Sequence, residues 1–399
     1  LKGAVLKKLL LALSMLAVVG FAAAQELTLW TYVDGAALEW LESEAAKFEA
    51  AFGVPISVAR IDLGEIKQKM LLDAPEGEAA DVVAPIPHDQ IGEMATGGVL
   101  ADMSFYATSD YLAGLSEQAK LAFTYNGQLV GLPMYVEGPA LIVNTDLVSD
   151  VPATFEEMVI AAQDLTTDDT FGFLYDISNF YFSYVWMNAK GGYVFERGDD
   201  GSLISDALGL NNEGAIAGAK LMKDLRYTYE LIPPSTDYSV ADTLFRDGSL
   251  GMIYNGPWAI PNYKDAGIKV QVLPIPAAAD GTQFSGFMGV QGVLLNQFSD
   301  NKVNAANFAK WISRSDAQVS LAEQTGNIPA SQSASQQMAD DPVITGFSAA
   351  LQNAVPMPNI PEMGSIWGPM GDALTIILES ADSDPAAELT RAVEKINGN

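Results

Sequence analysis

Seven side chains here have the types to recognise a polyhydroxylated ligand, and they fall where strands are expected to end. They are the carboxylates Asp34, Asp89 and Glu137 and the aromatics Tyr32, Tyr181, Trp258 and Trp367. Flat rings stack on the C–H faces of a sugar, while its hydroxyls need directional acceptors and donors. A carboxylate accepts hydroxyl bonds more strongly than a neutral group does. Two carboxylates beside a sugar could also serve as acid and base on a glycosidic bond, as in an exported glycosidase. Taken singly, each aromatic also fits a core position.

Other chemistries find less support. The sequence has no G-x-S-x-G elbow and no Walker A loop. It holds no cysteine, so disulfides, thiolate metal sites and cysteine nucleophiles are excluded. One histidine, His88, cannot build a His-rich zinc site; it is expected to hydrogen-bond locally in its loop, with a ligand contact as the alternative. No cofactor is expected.

The elements that must position these groups follow from the chain itself. Its 399 residues suffice for two or three domains at about 150 residues each. Residues 1–24 have the pattern of a secretory signal: Lys2, Lys7 and Lys8, an apolar run from Leu9 to Phe21, then Ala22-Ala23-Ala24. Leu1 in place of Met points to a non-standard start codon. Those lysines are three of 21 basic residues, so the remainder carries 18 against 50 acidic ones. Such a surface repels nucleic acid and anionic lipid. The expectation is a monomeric protein exported to the periplasm, and not a lipoprotein, because a lipid anchor needs a cysteine.

Strand patterns at Glu26–Trp30, 55–61 and 80–84 alternate with helical periodicity at 36–52, 65–72 and up to about Thr96. That alternation predicts a mostly parallel sheet with helices on both faces. Tyr125-Asn126-Gly127 is a hairpin turn signal. Thr154 and Glu157 form a capping box ahead of a helix to Leu165. Around Trp258 the sequence predicts a helix through Ala241, Leu244 and Phe245, a turn at Gly248, an apolar strand from Leu250 to Tyr254 and a break at Asn255-Gly256-Pro257. The closing helix should span 385–396.

Phe245, Gly248, Met252 and Asn255-Gly256-Pro257-Trp258 form a pattern that resembles the maltose/maltodextrin-binding branch of family 1 extracellular solute-binding proteins of ABC importers. Similar blocks are Leu29-Trp30, Pro133 to Glu137, Tyr181-Phe182, Gly191-Gly192-Tyr193, Thr236 to Ser239, and Met357-Pro358-Asn359-Ile360-Pro361 with Trp367. The resemblance runs from about Leu27 to near the C-terminus. It implies an α/β fold of the periplasmic-binding-protein type II kind, with two lobes around a ligand cleft that closes on its ligand. The N-terminal lobe would take 25–136 plus 290–338 and the C-terminal lobe 139–286 plus 343–399. Hinge crossings would lie near 135–139, 287–292 and 340–342. By the same resemblance Asp34, Asp89 and Glu137 accept sugar hydroxyls, Tyr181, Trp258 and Trp367 stack with Met357 beside them, and Trp30 is mainly structural. The implied function is capture of maltose, maltodextrin or a related oligosaccharide for delivery to ABC permease membrane subunits.

Several positions depart from the family pattern. A Lys after the first-loop Asp is Gly35 here, an N-lobe Trp is Pro85, an Arg is Gln90, and a Glu is Asn179. Further departures are Gly368 and Gly371. Tyr32, two residues before Asp34, is expected to project to the same side and to take over from the missing Trp by stacking or by its hydroxyl. Packing against the loop at Gly35 is the other reading of Tyr32.

Overall fold

A computed structural model describes residues 25–199 and 201–398. The expected leader, 1–24, lies outside the described residues. Strands and helices alternate through the first hundred described residues. Leu27–Thr31 pairs in parallel with both Ile56–Arg60 and Val82–Pro87. Helices Gly35–Phe52 and Leu63–Asp73 connect them. Gly53 closes the first helix in the left-handed region at φ 68°, the conformation glycine adopts without steric cost.

The sheets are mixed rather than mostly parallel. The larger has seven strands, in the order Ile328–Pro329, Leu132–Glu137, Phe287–Leu295, Val82–Pro87, Leu27–Thr31 and Ile56–Arg60, with Val355–Pro356 pairing onto Phe287–Leu295. Phe287–Leu295 runs antiparallel to both of its long neighbours. It returns from a distant part of the chain, so no local βαβ unit dictates its direction. The smaller sheet has the order Val270–Leu273, Ala140–Asn144, Leu250–Asn255, Phe171–Leu174, and only its last pair is parallel.

Each sheet supports its own core. One core gathers residues from Leu27 to Tyr135 and from Met288 to Ala330, with Leu351. The other gathers residues from Ala140 to Phe287 and from Val343 to Ala392. The chain passes between the two cores through Glu137–Ala140, through the strand Phe287–Leu295, and between Ala330 and Val343. All nine residues of Phe287–Leu295 are buried, as expected of a strand covered on both faces.

Local signals are obeyed closely. Thr154 Oγ1 accepts from the Glu157 N–H at 3.2 Å, and Glu157 reaches back to the Ala153 N–H at 2.8 Å. Asn126 and Gly127 take φ values of 48° and 78° in the tight hairpin. The aromatic run at 179–186 is a helix, Phe180–Ala189, capped by Asn179. Among the described residues no helix is long and apolar enough to cross a membrane.

Candidate functional site

Trp258 is placed by the segment around it. Helix Tyr238–Arg246 ends before Gly248, whose φ is 75°. Strand Leu250–Asn255 follows, buried throughout. At its exit Asn255 Oδ1 accepts from the Gly256 N–H at 2.8 Å, while its amide donates to the Tyr263 hydroxyl at 2.9 Å. The indole then folds back over Gly256. A Cβ on residue 256 would lie 2.1 Å from the Trp258 ring, so the turn demands glycine. The Trp258 Nε1–H donates to the Tyr238 hydroxyl at 3.0 Å.

The aromatic residues form one continuous row. Ring centroids lie 6.3 Å apart for Tyr181–Trp258, 6.2 Å for Tyr181–Phe287 and 5.9 Å for Phe287–Trp367. Tyr181, Trp258 and Trp367 are each half-buried, as a stacking surface requires, whereas Phe287 is fully enclosed. Phe287 also stacks face to face with Tyr184 at 3.8 Å. The strand that passes between the two cores is therefore part of the aromatic wall, a role the sequence did not signal.

The polar residues sit at the carboxyl ends of strands from the other core. Glu137 ends Leu132–Glu137, and Asp89 follows Val82–Pro87. Gln291 Nε2 donates to Glu137 Oε1 at 2.6 Å, and Gln90 Nε2 donates to Asp89 Oδ2 at 2.6 Å. The Trp367 indole, from the other core, lies close enough to the Asp89 carboxylate to favour its charged form. Burial raises the Asp89 carboxyl to about 6, against the Gln90 bond, the nearby Trp367 indole and the charge of Lys67. Burial, with the Asp89 charge adding to it, raises Glu137 to about 7 despite the Gln291 bond. Met357 is buried beside Glu137, since both flank the same position, Gly289, on the central strand.

Tyr32 is half-buried in this group. Burial and then the Glu137 charge push its phenol well above the usual range, while the nearby Gln291 amide and Tyr135 hydroxyl oppose that. Tyr181 is raised by the same causes, burial first and then Glu137. Asp34 stands apart from Tyr32. The first strand stops at Thr31, so alternation does not carry through to Asp34. Its carboxylate is 81 % exposed, lies 3.4 Å from Arg60 Nη2 and contributes to the electrostatics of Tyr238 across the cleft. Tyr32, Asp89, Glu137, Tyr181, Met357 and Trp367 thus converge, while Trp258 and Asp34 flank them. Gln291, Tyr135, Tyr238 and Phe287 complete the group. Gln291 had a usable signal, a lone amide inside an otherwise apolar strand.

His88 does not bond locally. The Val290 N–H donates to Nδ1 at 3.0 Å, so the ring proton sits on Nε2, which faces the Met357 carbonyl at 2.9 Å. Burial lowers its pKa to about 4. Both ring nitrogens are spent on backbone, and His88 pins three distant segments together. Asn359 adds to that pinning by donating to the carbonyls of Leu121, Ala122 and Thr124 at 3.3, 3.0 and 3.2 Å. Among the described residues no three His, Asp or Glu side chains gather as a metal site. A cavity of about 360 Å³ lies behind the aromatic wall, between Tyr184, Phe287 and the hairpin 193–209, and another of about 620 Å³ lies beside Gln332 to Gln336.

Residues 44–346 match the model of the bacterial extracellular solute-binding protein family. The galactooligosaccharide-binding protein of Bacillus subtilis is 29% identical over 94% of this chain and 89% of its own length. The maltotriose-binding protein of Thermus thermophilus, solved with maltotriose, is 42% identical, with a TM-score of 0.90 over 94% of this chain and 99% of that one. A cyclo/maltodextrin-binding protein solved with maltotetraose is 32% identical, with a TM-score of 0.80 over 94% and 96% of the two chains. A maltooligosaccharide ABC transporter solute-binding lipoprotein of Streptococcus pneumoniae is 29% identical over 89% of this chain and 84% of its own.

That last relative corrects the expected location. A periplasmic protein that is not a lipoprotein was inferred from a leader outside the described residues and from the lack of one residue type. A relative of this similarity is named a lipoprotein, and the family is described as extracellular. The absence of cysteine therefore does not carry the compartment. With two α/β lobes of the periplasmic-binding-protein type II fold, each supplying part of one constellation, the chain belongs to the bacterial extracellular solute-binding protein family.

Proposed function

We propose that this protein captures maltooligosaccharides outside the cytoplasm and hands them to the membrane subunits of an ABC importer, acting as a monomer and without hydrolysing them. One observation carries this reading most: a carboxylate set from one core meets an aromatic row from the other, with the Trp367 indole beside Asp89. A sugar entering between them would stack on Tyr181, Trp258 and Trp367, while Glu137, Asp89 and Asp34 accept its hydroxyls and Met357 and Tyr32 fill the remaining wall. The lobes are taken as 25–136 with 290–338, and 139–286 with 343–399, rotating about crossings near 135–139, 287–292 and 340–342. Relatives named for maltotriose, maltotetraose and maltooligosaccharides support the ligand class. A galactooligosaccharide-binding relative supplies the competitor to test. The glycosidase alternative gains nothing from these relatives, which are named as binding proteins.

The test is a melting-temperature panel of maltose, maltotriose, maltotetraose and a galactooligosaccharide, because a ligand that binds only the folded form raises the midpoint. Maltotriose or maltotetraose should give the largest rise, and released glucose should be absent after prolonged incubation. No rise with any α-glucan sinks the ligand class, and glucose release sinks the non-enzymatic reading.

A further inference from the structure

Gln291 sits in the middle of the strand that passes between the two cores, with only 1% of its surface exposed. In the sheet it is paired with Tyr135 on one side and Pro87 on the other. Tyr135 and Glu137 are two apart on one strand, so their side chains share the face on which Gln291 lies. The Gln291 carboxamide nitrogen has two hydrogens. One goes to Glu137 Oε1 at 2.6 Å, and the amide also lies close enough to Tyr32 to favour its ionised form. Gln291 Oε1 is buried with no hydrogen-bond partner.

Tyr135 shares the strand of Glu137 and, like Gln291, lies close enough to Tyr32 to favour its ionised oxygen.

We infer that Gln291 is a positioning residue of the sugar site, holding Glu137 as a charged acceptor of hydroxyls. The assignment rests on the maltooligosaccharide reading of this cleft. It explains why a strand otherwise made of apolar residues and glycine tolerates a buried amide with one unpaired oxygen: an unmade bond there costs stability that an apolar residue would not. The cleft gains a fixed acceptor, and a ligand with no hydroxyl opposite it would leave the buried carboxylate unpaired.

The titratable groups facing Gln291 are Glu137, Asp89, Tyr32, Tyr135 and Tyr181, with Lys67 beyond Asp89. His88 lies against the same strand but stays neutral at physiological pH. Of these, Glu137 titrates nearest neutrality, at about 7. Gln291→Met keeps the volume and removes the donor, so the Glu137 midpoint should rise by about one pH unit. If the ionised form binds sugar, maltotriose affinity of the variant should then fall about eightfold at about pH 6.5 and match wild type near pH 9.

The experiment pairs two readouts. Carbon-13 NMR of the Glu137 carboxyl, without sugar, follows its midpoint in wild type and Gln291→Met. Calorimetry with maltotriose from about pH 6 to 9 follows affinity. An upward NMR shift with a deficit that vanishes at high pH supports the assignment. An unchanged midpoint, or a deficit equal at every pH, overturns it, because a merely structural role would not track Glu137 ionisation. If Gln291→Met does not fold, Gln291→Asn draws the same amide back by one methylene and must show the same two changes. Wild-type protein that binds no α-glucan at any pH overturns the sugar reading, while the NMR midpoint still decides whether Gln291 holds Glu137.

Discussion

Replacing Glu137 by Gln should stabilise the ligand-free protein at pH 8 and weaken its grip on maltotriose. Burial raises this carboxyl from 4.5 to about 7. A group whose folded pKa lies above its unfolded value makes the folded state bind more protons between those two values. Stability then falls as pH rises from about 4.5 to about 7, and the full cost is present above that window. At 1.36 kcal/mol per pH unit the charged Glu137 costs about 3 kcal/mol at pH 8. Gln carries no such charge, and it brings a donor to a neighbourhood whose unpaired atom, Gln291 Oε1, is an acceptor. After allowance for imperfect bonding of the new amide, a gain of about 1–3 kcal/mol is expected at pH 8. It should shrink to nearly nothing at about pH 4.5. Losing the charged acceptor should cost about 2 kcal/mol in maltotriose affinity, near thirtyfold. Urea unfolding at the two pH values and calorimetry at pH 8 measure the three quantities. A Glu137→Gln protein no more stable than wild type at pH 8, or a gain undiminished at pH 4.5, refutes the reasoning.

Other outcomes follow from the same geometry. Trp258→Ala removes a stacking face and should cost about 2–4 kcal/mol in binding with folding largely kept; wild-type affinity by calorimetry would make Trp258 a packing residue. Tyr32→Ala should lose affinity, because the half-buried ring lies beside Glu137; loss in Tyr32→Phe as well assigns the hydroxyl to the ligand, affinity kept in the Phe variant assigns stacking, and affinity kept in both would make Tyr32 a packing residue. Gly256→Ala places a Cβ 2.1 Å from the Trp258 ring. The overpacking should cost about 1–3 kcal/mol of stability and displace the indole from Tyr238, seen as a shifted tryptophan fluorescence spectrum; an unchanged spectrum and melting point would contradict the fold-back of Trp258.

Elements governed by neighbours in the chain were legible in the sequence. Thr154 and Glu157 cap their helix because the groups they satisfy lie within four residues. The closing helix, Pro385–Ile396, has the expected bounds because a proline at the first turn and an apolar period define it locally. The strand into Trp258 and the break after it were likewise readable from Gly248, the apolar run and Asn255-Gly256-Pro257. The residues with chemistry could be picked out by type, since stacking and hydroxyl acceptance need only rings and carboxylates.

Partnerships between residues far apart in the chain were decided by tertiary structure alone. Phe287–Leu295 is buried on both faces, so its sequence lacks the alternation that would say which side Gln291 points to or which strands flank it. Its pairing with Leu132–Glu137 and Val82–Pro87 brings Gln291 to Glu137, 154 residues away. His88 looked like a local loop residue, yet its partners are 202 and 269 residues distant. The separation of Tyr32 from Asp34 came from the strand ending at Thr31, where the pairing partner also ends at Arg60. Sequence periodicity reports which residues face a core; only the packed sheets determine whose side chains meet there, and the raised carboxyls of Asp89 and Glu137 are a consequence of that packing.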